Sequence, residues 1–338
     1  MKPRIAVVGA GAWGTALANL AARNAARVTL VARDPDHAAE MAATGVNARR
    51  LPGVLLASNV EATADLGGAA EAEIVLLAVP TQALRSACER LAPLLAPGAA
   101  LILCAKGIER ASGRFVSEVA AEVLPQHPLA ILSGPSFAID VARGLPTAVT
   151  LAAAEAGRAR ELAQALATPW FRLYYSTDVR GVEIGGAAKN VLAIANGIAA
   201  GRGLGASAGA ALVARGFAEL SRFGRAFGAQ PATLMGLSGL GDLVLTCNSA
   251  QSRNFSLGLA LGRGVSLASL LAEGPLAEGV HTCGVLVDLA HRRGIEMPIA
   301  TAVDAVLAER LDIDAAIEAL LARPQKAETA LAEEFGDG

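Results

Sequence analysis

Arg4–Val8 is a short apolar run that ends directly in Gly9, Ala10, Gly11, Ala12, Trp13 and Gly14, and the helix-like TALANLAARN follows. Strand, GxGxxG turn and helix in that order commit the start of the chain to a dinucleotide-binding βα unit. The glycines permit a tight turn and close backbone approach, and the helix N-terminus faces a pyrophosphate. A lone GxGxxG is weak evidence; here a second strand follows at 27–32 (RVTLVA). Trp13 is either a packing residue or a ring lying along the cofactor.

The end of the second strand bears on which dinucleotide is used, because an acid there accepts the ribose hydroxyls of NAD and an arginine pairs with the 2′-phosphate of NADP. The chain has both, Arg33 and then Asp34. Arg33 favours NADP and leaves NAD open. Asp34 followed by Pro35 also reads as a helix N-cap with proline in the first turn.

Residues 73–79 (EIVLLAV) and 99–105 (AALILCA) are buried-strand patterns whose carboxyl ends lead to Pro80 and to Lys106. Open α/β sheets bind ligands at those ends, so Lys106 is either a solvated loop charge or a ligand contact. Residues 129–132 lead into Ser133, Gly134, Pro135, Ser136, Phe137 and Ala138, a tight turn able to serve a polar ligand through backbone N–H groups and the Ser136 hydroxyl. Residues 147–151 and 171–175 extend the sheet.

Beyond 182 strand signals stop and Ala, Leu and Gly dominate in helix-like segments with no fixed repeat period. The first, 185–201, is apolar on almost every side except a line formed by Lys189, Ala193 and Asn196. A helix of that kind belongs in a core, where an ammonium needs a partner or a lowered pKa. Lys189 therefore snorkels to the surface or meets a ligand as the acid/base of a reaction. Asp242, in SGLGDLVLTC, is a capping carboxylate or the partner of a buried lysine. In NSAQSRN, Ser252, Arg253 and Asn254 form a polar helix start suited to phosphate, although an arginine binds carboxylate as well. The spacing of Glu278, in LAEGVHT, assigns it no role.

The chain's 338 residues exceed one comfortable core, which predicts two domains, an α/β Rossmann-like domain over 1–182 and an all-α domain over 183–338. With 29 basic and 31 acidic residues and no basic block, nucleic acid is a poor partner. Cys88, Cys104, Cys247 and Cys283 lie far apart without metal-ligand spacing, which suits reduced thiols in the cytoplasm and no metal. No signal peptide is visible, and Lys189, Asn190, Asn196 and four glycines argue against a span at 185–201.

Assembled in order, GAGAWGTALA (9–18), AVPTQALR (78–85), AKGIE (105–109), GPSFA (134–138), AAKNVLAIANGI (187–198), GLGDLVLTC (239–247) and SRNFSLG (252–258) make the chain resemble the bacterial soluble NAD(P)-dependent glycerol-3-phosphate dehydrogenases over nearly its full length. The resemblance implies a Rossmann-like domain, an all-helical domain, a cleft between them and a homodimer. It also implies reversible reduction of dihydroxyacetone phosphate to sn-glycerol 3-phosphate, a step of glycerophospholipid synthesis. By motif, Lys189 is the proton acceptor in oxidation, with Lys106 and Asp242 beside it. The substrate contacts are Lys106, Gly134, Ser136, Lys189, Asp242, Ser252, Arg253 and Asn254. Cofactor contacts are Gly9, Gly11, Ala12, Trp13, Gly14, Arg33, Lys106, Ala138, Arg253, Leu276 and Glu278. The chain departs from the pattern at Ala12, where a hydroxyl is frequent, and before Leu51, Pro52 and Gly53, where an aromatic is frequent. The rivals are a hydroxy-acid or ketopantoate-type reductase of similar architecture and a non-catalytic nucleotide sensor.

Overall fold

The computed structural model describes residues 2–272 and 277–325. Its first half alternates strands and helices: β1 (Arg4–Val8), α1 (Ala12–Ala21), β2 (Arg27–Val31), α2 (Pro35–Thr44), β3 (Val60–Thr63), β4 (Ile74–Leu77), α3 (Leu84–Leu91), β5 (Ala100–Leu103), α4 (Val116–Val123), β6 (Leu129–Ser133), α5 (Ala138–Ala142), β7 (Thr147–Ala153), α6 (Ala156–Leu166) and β8 (Phe171–Ser176). The eight strands form one sheet in the order β3-β2-β1-β4-β5-β6-β7-β8, and only the β6–β7 pair is antiparallel. The Val/Ile/Leu runs of β1, β4 and β5 are covered on both faces. Ile5 and Val7 enter one core cluster while Ala6 and Val8 enter another, as period-2 side chains of a sandwiched strand must.

The sequence reading missed β3. Its four residues, VEAT, are only partly buried, so an edge strand here lacks the apolar run that marks the others.

The chain leaves β1 toward β2 on one side and returns to β4 on the other, so β1 and β4 flank a switch point. Gly9 lies there with φ of 111°, and a Cβ on it would stand 2.6 Å from the Ala78 carbonyl oxygen just past β4.

Every described strand precedes α7 (Val179–Gly201). After it come α8 (Gly205–Ala226), α9 (Pro231–Met235), a π-helical turn at Leu237–Gly241, α10 (Asp242–Cys247), α11 (Arg253–Gly262), α12 (Leu267–Ala272), α13 (Glu278–Arg292), α14 (Pro298–Leu307) and α15 (Ile313–Leu321). In α7 the residues from Gly181 through Ala199 are all buried, so its low amphipathicity reflects an axial position among other helices. None of the described helices is long and apolar enough to cross a membrane.

Helix α11 lies on α7 backbone to backbone. A Cβ on Gly197 or Gly201 would fall on the Phe255 or Leu259 carbonyl oxygen, and one on Gly258 or Gly262 on that of Ile194 or Ile198. Small residues spaced by four on both helices produce this contact.

Candidate active site

The α7 polar line faces α10. Asn196 donates to the Cys247 carbonyl at 2.8 Å, and Lys189 Nζ donates to Asp242 Oδ1 at 2.6 Å and to Thr246 Oγ1 at 2.7 Å. The other Asp242 oxygen accepts from Lys106 Nζ at 2.7 Å. One carboxylate, 1% exposed, thus stands between two ammonium groups. Lys106 also donates to the Gly134 carbonyl at 3.1 Å, to which the Ser136 hydroxyl turns back at 3.1 Å.

Two glycines of α7 let these walls close. At Gly185 the Ser238 carbonyl of the π turn lies where a Cβ would be; at Gly186 the space is taken by Ser133 Oγ and the Lys106 side chain. Asp242 is the first residue of α10, directly after the π turn, so this irregular turn sets where the carboxylate enters the core.

The charge balance follows from burial. Desolvation lowers Lys189 to about 8, Asp242 opposes the shift, and Lys106 adds to it. Burial would raise Asp242, but the charges of Lys106 and Lys189 outweigh it and hold the carboxyl below its ordinary value. With two of its three N–H bonds assigned, Lys189 retains one donor with no partner among the described residues.

Ser252 caps α11 by accepting from the Phe255 N–H at 3.2 Å. Arg253 is exposed and forms no ion pair among the described residues. Asn254 is engaged internally. Its amide donates to Asn190 Oδ1 at 2.9 Å and its oxygen accepts from the Gly279 N–H at 2.9 Å, while Asn190 Nδ2 donates to the Lys106 carbonyl at 2.9 Å. Glu278, at the start of α13, accepts from the Thr81 N–H at 3.1 Å and from the Lys106 N–H at 3.2 Å. Burial raises its pKa, and those two N–H groups oppose the rise.

The structure therefore gathers Lys106, Lys189, Asp242, Gly134 and Ser136 into one cluster and ties Asn254 and Glu278 to it. Arg33 lies apart, exposed after β2, and Ala138 opens α5. Asp34 caps α2, accepting from the Asp36 and His37 N–H groups, and pairs with Arg49 at 3.0 Å. Leu276 lies outside the described residues. Sequence reasoning missed Thr246, which accepts from Lys189 and donates to Asp242 at 3.2 Å; its place one helical turn after Asp242 was the available signal.

The fingerprint loop fits a pyrophosphate. A Cβ on Gly14 would collide with the Gly9 carbonyl, and one on Gly11 would meet nothing within 4 Å, so the loop is tight on its inner side and open at its middle glycine. Trp13 Nε1 is buried with no hydrogen-bond partner among the described residues.

Two family models match the chain: the NAD-dependent glycerol-3-phosphate dehydrogenase N-terminus over residues 4–159 and the C-terminus of the same enzyme over residues 178–318. The chain belongs to the NAD-dependent glycerol-3-phosphate dehydrogenase family. It is 66% identical over 328 residues to a glycerol-3-phosphate dehydrogenase, NAD(P)+, of Beijerinckia indica, covering 97% of this chain and 98% of that one. A protein of the same name from Azorhizobium caulinodans is 63% identical, with coverage of 96% and 98%. The crystal structure of a glycerol-3-phosphate dehydrogenase from Coxiella burnetii superposes with a TM-score of 0.91 at 42% identity, covering 95% of this chain and 99% of that one. Membership in this family selects an NAD(P)-dependent glycerol-3-phosphate dehydrogenase over the hydroxy-acid reductase and sensor alternatives.

Proposed function

We propose that the chain interconverts dihydroxyacetone phosphate and sn-glycerol 3-phosphate with Lys189 as the acid and base. The observation that carries this reading is the shared carboxylate: Asp242 holds buried Lys189 and partly exposed Lys106 side by side, just past the carboxyl ends of β5 and β6. In oxidation, neutral Lys189 takes the proton of the carbinol hydroxyl. In reduction, its ammonium form returns a proton to the carbonyl oxygen, and the Lys106 ammonium stabilises the negative charge developing there. A nicotinamide held at the fingerprint loop would supply the hydride in reduction and accept it in oxidation.

Arg253, with Ser252 and the first N–H groups of α11, is the proposed phosphate site, since a helix N-terminus and a guanidinium both favour an anion. Asn254 belongs to that site through its backbone, its side chain being committed to Asn190 and Gly279. Gly134 and Ser136 line the substrate side beside Lys106. Gly9, Gly11, Ala12, Gly14, Trp13, Ala138, Glu278 and Leu276 remain proposed cofactor contacts. Arg33, exposed and without an ion pair among the described residues, supports a preference for NADPH. The family resemblance supports a homodimer in the cytoplasm that feeds glycerophospholipid synthesis, with a working division at 182/183.

The test is the initial rate of cofactor oxidation with dihydroxyacetone phosphate, measured with NADPH and NADH in parallel. Turnover with a lower KM for NADPH is expected. Equal KM values would remove Arg33 from discrimination, and cofactor binding without turnover would remove the proposed reaction.

A further inference from the structure

Asn47 lies in the loop after α2, is completely buried, and uses its whole carboxamide. Its Nδ2 donates to the Ala10 carbonyl at 3.0 Å and to Thr15 Oγ1 at 2.7 Å. Its Oδ1 accepts from His37 Nε2 at 2.8 Å and from the Arg50 N–H at 3.1 Å. Two donors and two lone pairs are all a primary amide has, so none of its capacity is left over. Thr15 continues the chain, its hydroxyl donating to the Gly11 carbonyl at 2.9 Å.

The Asn47 contact fixes the Ala10–Gly11 peptide plane, and the Thr15 hydroxyl joins the Thr15 backbone N–H, which donates to the same Gly11 carbonyl at 2.9 Å, in fixing the next one. In a planar trans peptide the carbonyl and the next N–H point in opposite directions. Holding the Ala10 carbonyl toward Asn47 turns the Gly11 N–H away from it, and holding the Gly11 carbonyl toward Thr15 does the same for the Ala12 N–H. The Gly11 side is where the loop is open. The same amide also anchors α2, which begins just after Arg33, through His37, and the loop at Arg50. It therefore joins the pyrophosphate turn to the segment that reads the adenosine ribose.

We propose that Asn47, acting with Thr15, is the positioning residue that presents the Gly11 and Ala12 N–H groups to the dinucleotide pyrophosphate. This rests on the assignment of the dinucleotide to the fingerprint loop. Asn47→Asp puts an acceptor opposite the Ala10 carbonyl, and Thr15→Val removes the hydroxyl with little change of shape. Calorimetric Kd for NADPH and NADH, thermal unfolding and steady-state kinetics are measured on the full chain for wild type, both variants and Thr15→Ser.

Thr15→Val is expected to weaken both dinucleotides about tenfold. KM for the cofactor should rise in step, while KM for dihydroxyacetone phosphate changes less than twofold; Thr15→Ser should restore the affinity. Asn47→Asp is expected to weaken cofactor binding further. A wild type that binds no dinucleotide would remove the underlying assignment. If wild type binds, two results would each overturn the positioning role: a folded Thr15→Val that binds as tightly, or a loss shared equally by the KM of cofactor and substrate. Thr15→Val keeps the test decisive if Asn47→Asp does not fold.

Discussion

Lys189 Nζ lies 2.6 Å from Asp242 Oδ1, and the pair is buried in the core between α7 and α10. Two opposing effects meet in this contact. Desolvation brings the lysine down to about 8, while the carboxylate keeps it from falling further. In the proposed mechanism the ammonium is the acid for reduction, so that rate should be full below about 8 and fall as pH rises through it. In the same mechanism the neutral amine is the base for oxidation, so that rate should rise through the same value. Paired pH profiles of kcat/KM in the two directions check this, and parallel profiles would separate Lys189 from the proton transfer. Lys189→Ala should lower kcat by about a thousandfold while cofactor Kd is retained.

Replacing Asp242 by Asn removes the carboxylate that stands between Lys189 and Lys106 and leaves the two cations facing each other. Both the lost attraction and the remaining repulsion lower the Lys189 pKa further. The fall in the reducing-direction profile should therefore move below about 8, with a large loss of kcat. A profile that stays in place in the folded variant would show that Asp242 does not tune the lysine.

Arg253→Ala should act on binding. KM for dihydroxyacetone phosphate is expected to rise by about a hundredfold, in the range of a lost charged hydrogen-bond pair. Turnover of unphosphorylated dihydroxyacetone should change little. Equal losses on both substrates would argue against a phosphate role at the head of α11.

Gly258→Ala tests the helix crossing. The new methyl would meet the Ile194 backbone carbonyl, which has no rotamer to move into. Destabilisation of about 3 kcal/mol is expected, as for overpacked cores, read by urea unfolding. Wild-type stability would mean that the helices can separate without cost.

The sequence carried the sheet wherever burial on both faces demands an unbroken apolar run, as in β1, β4 and β5. It hid β3, because an edge strand with Glu61 and Thr63 has no such run. The buried lysine was legible from the apolar surroundings of Lys189, and pairing with Asp242 was one of two readings open for that carboxylate. Which reading holds depends on a π turn that no periodicity announces. Asn254 read as a ligand donor, since its use by Asn190 and Gly279 arises only when α7, α11 and α13 meet. Asn47 was invisible for a similar reason, lying in a loop whose partners are 32 and 37 residues earlier in the chain.

The glycine contact between α7 and α11 makes the proposed site a ruler. One helix carries the ammonium and the other begins with the proposed phosphate-binding residues, and their backbones touch at Gly197, Gly201, Gly258 and Gly262 with no side chain between them to yield. In the proposed site the distance between the helix that carries Lys189 and the helix that begins at Arg253 is then set by the main chain, and only the two side chains can adjust the span to a substrate.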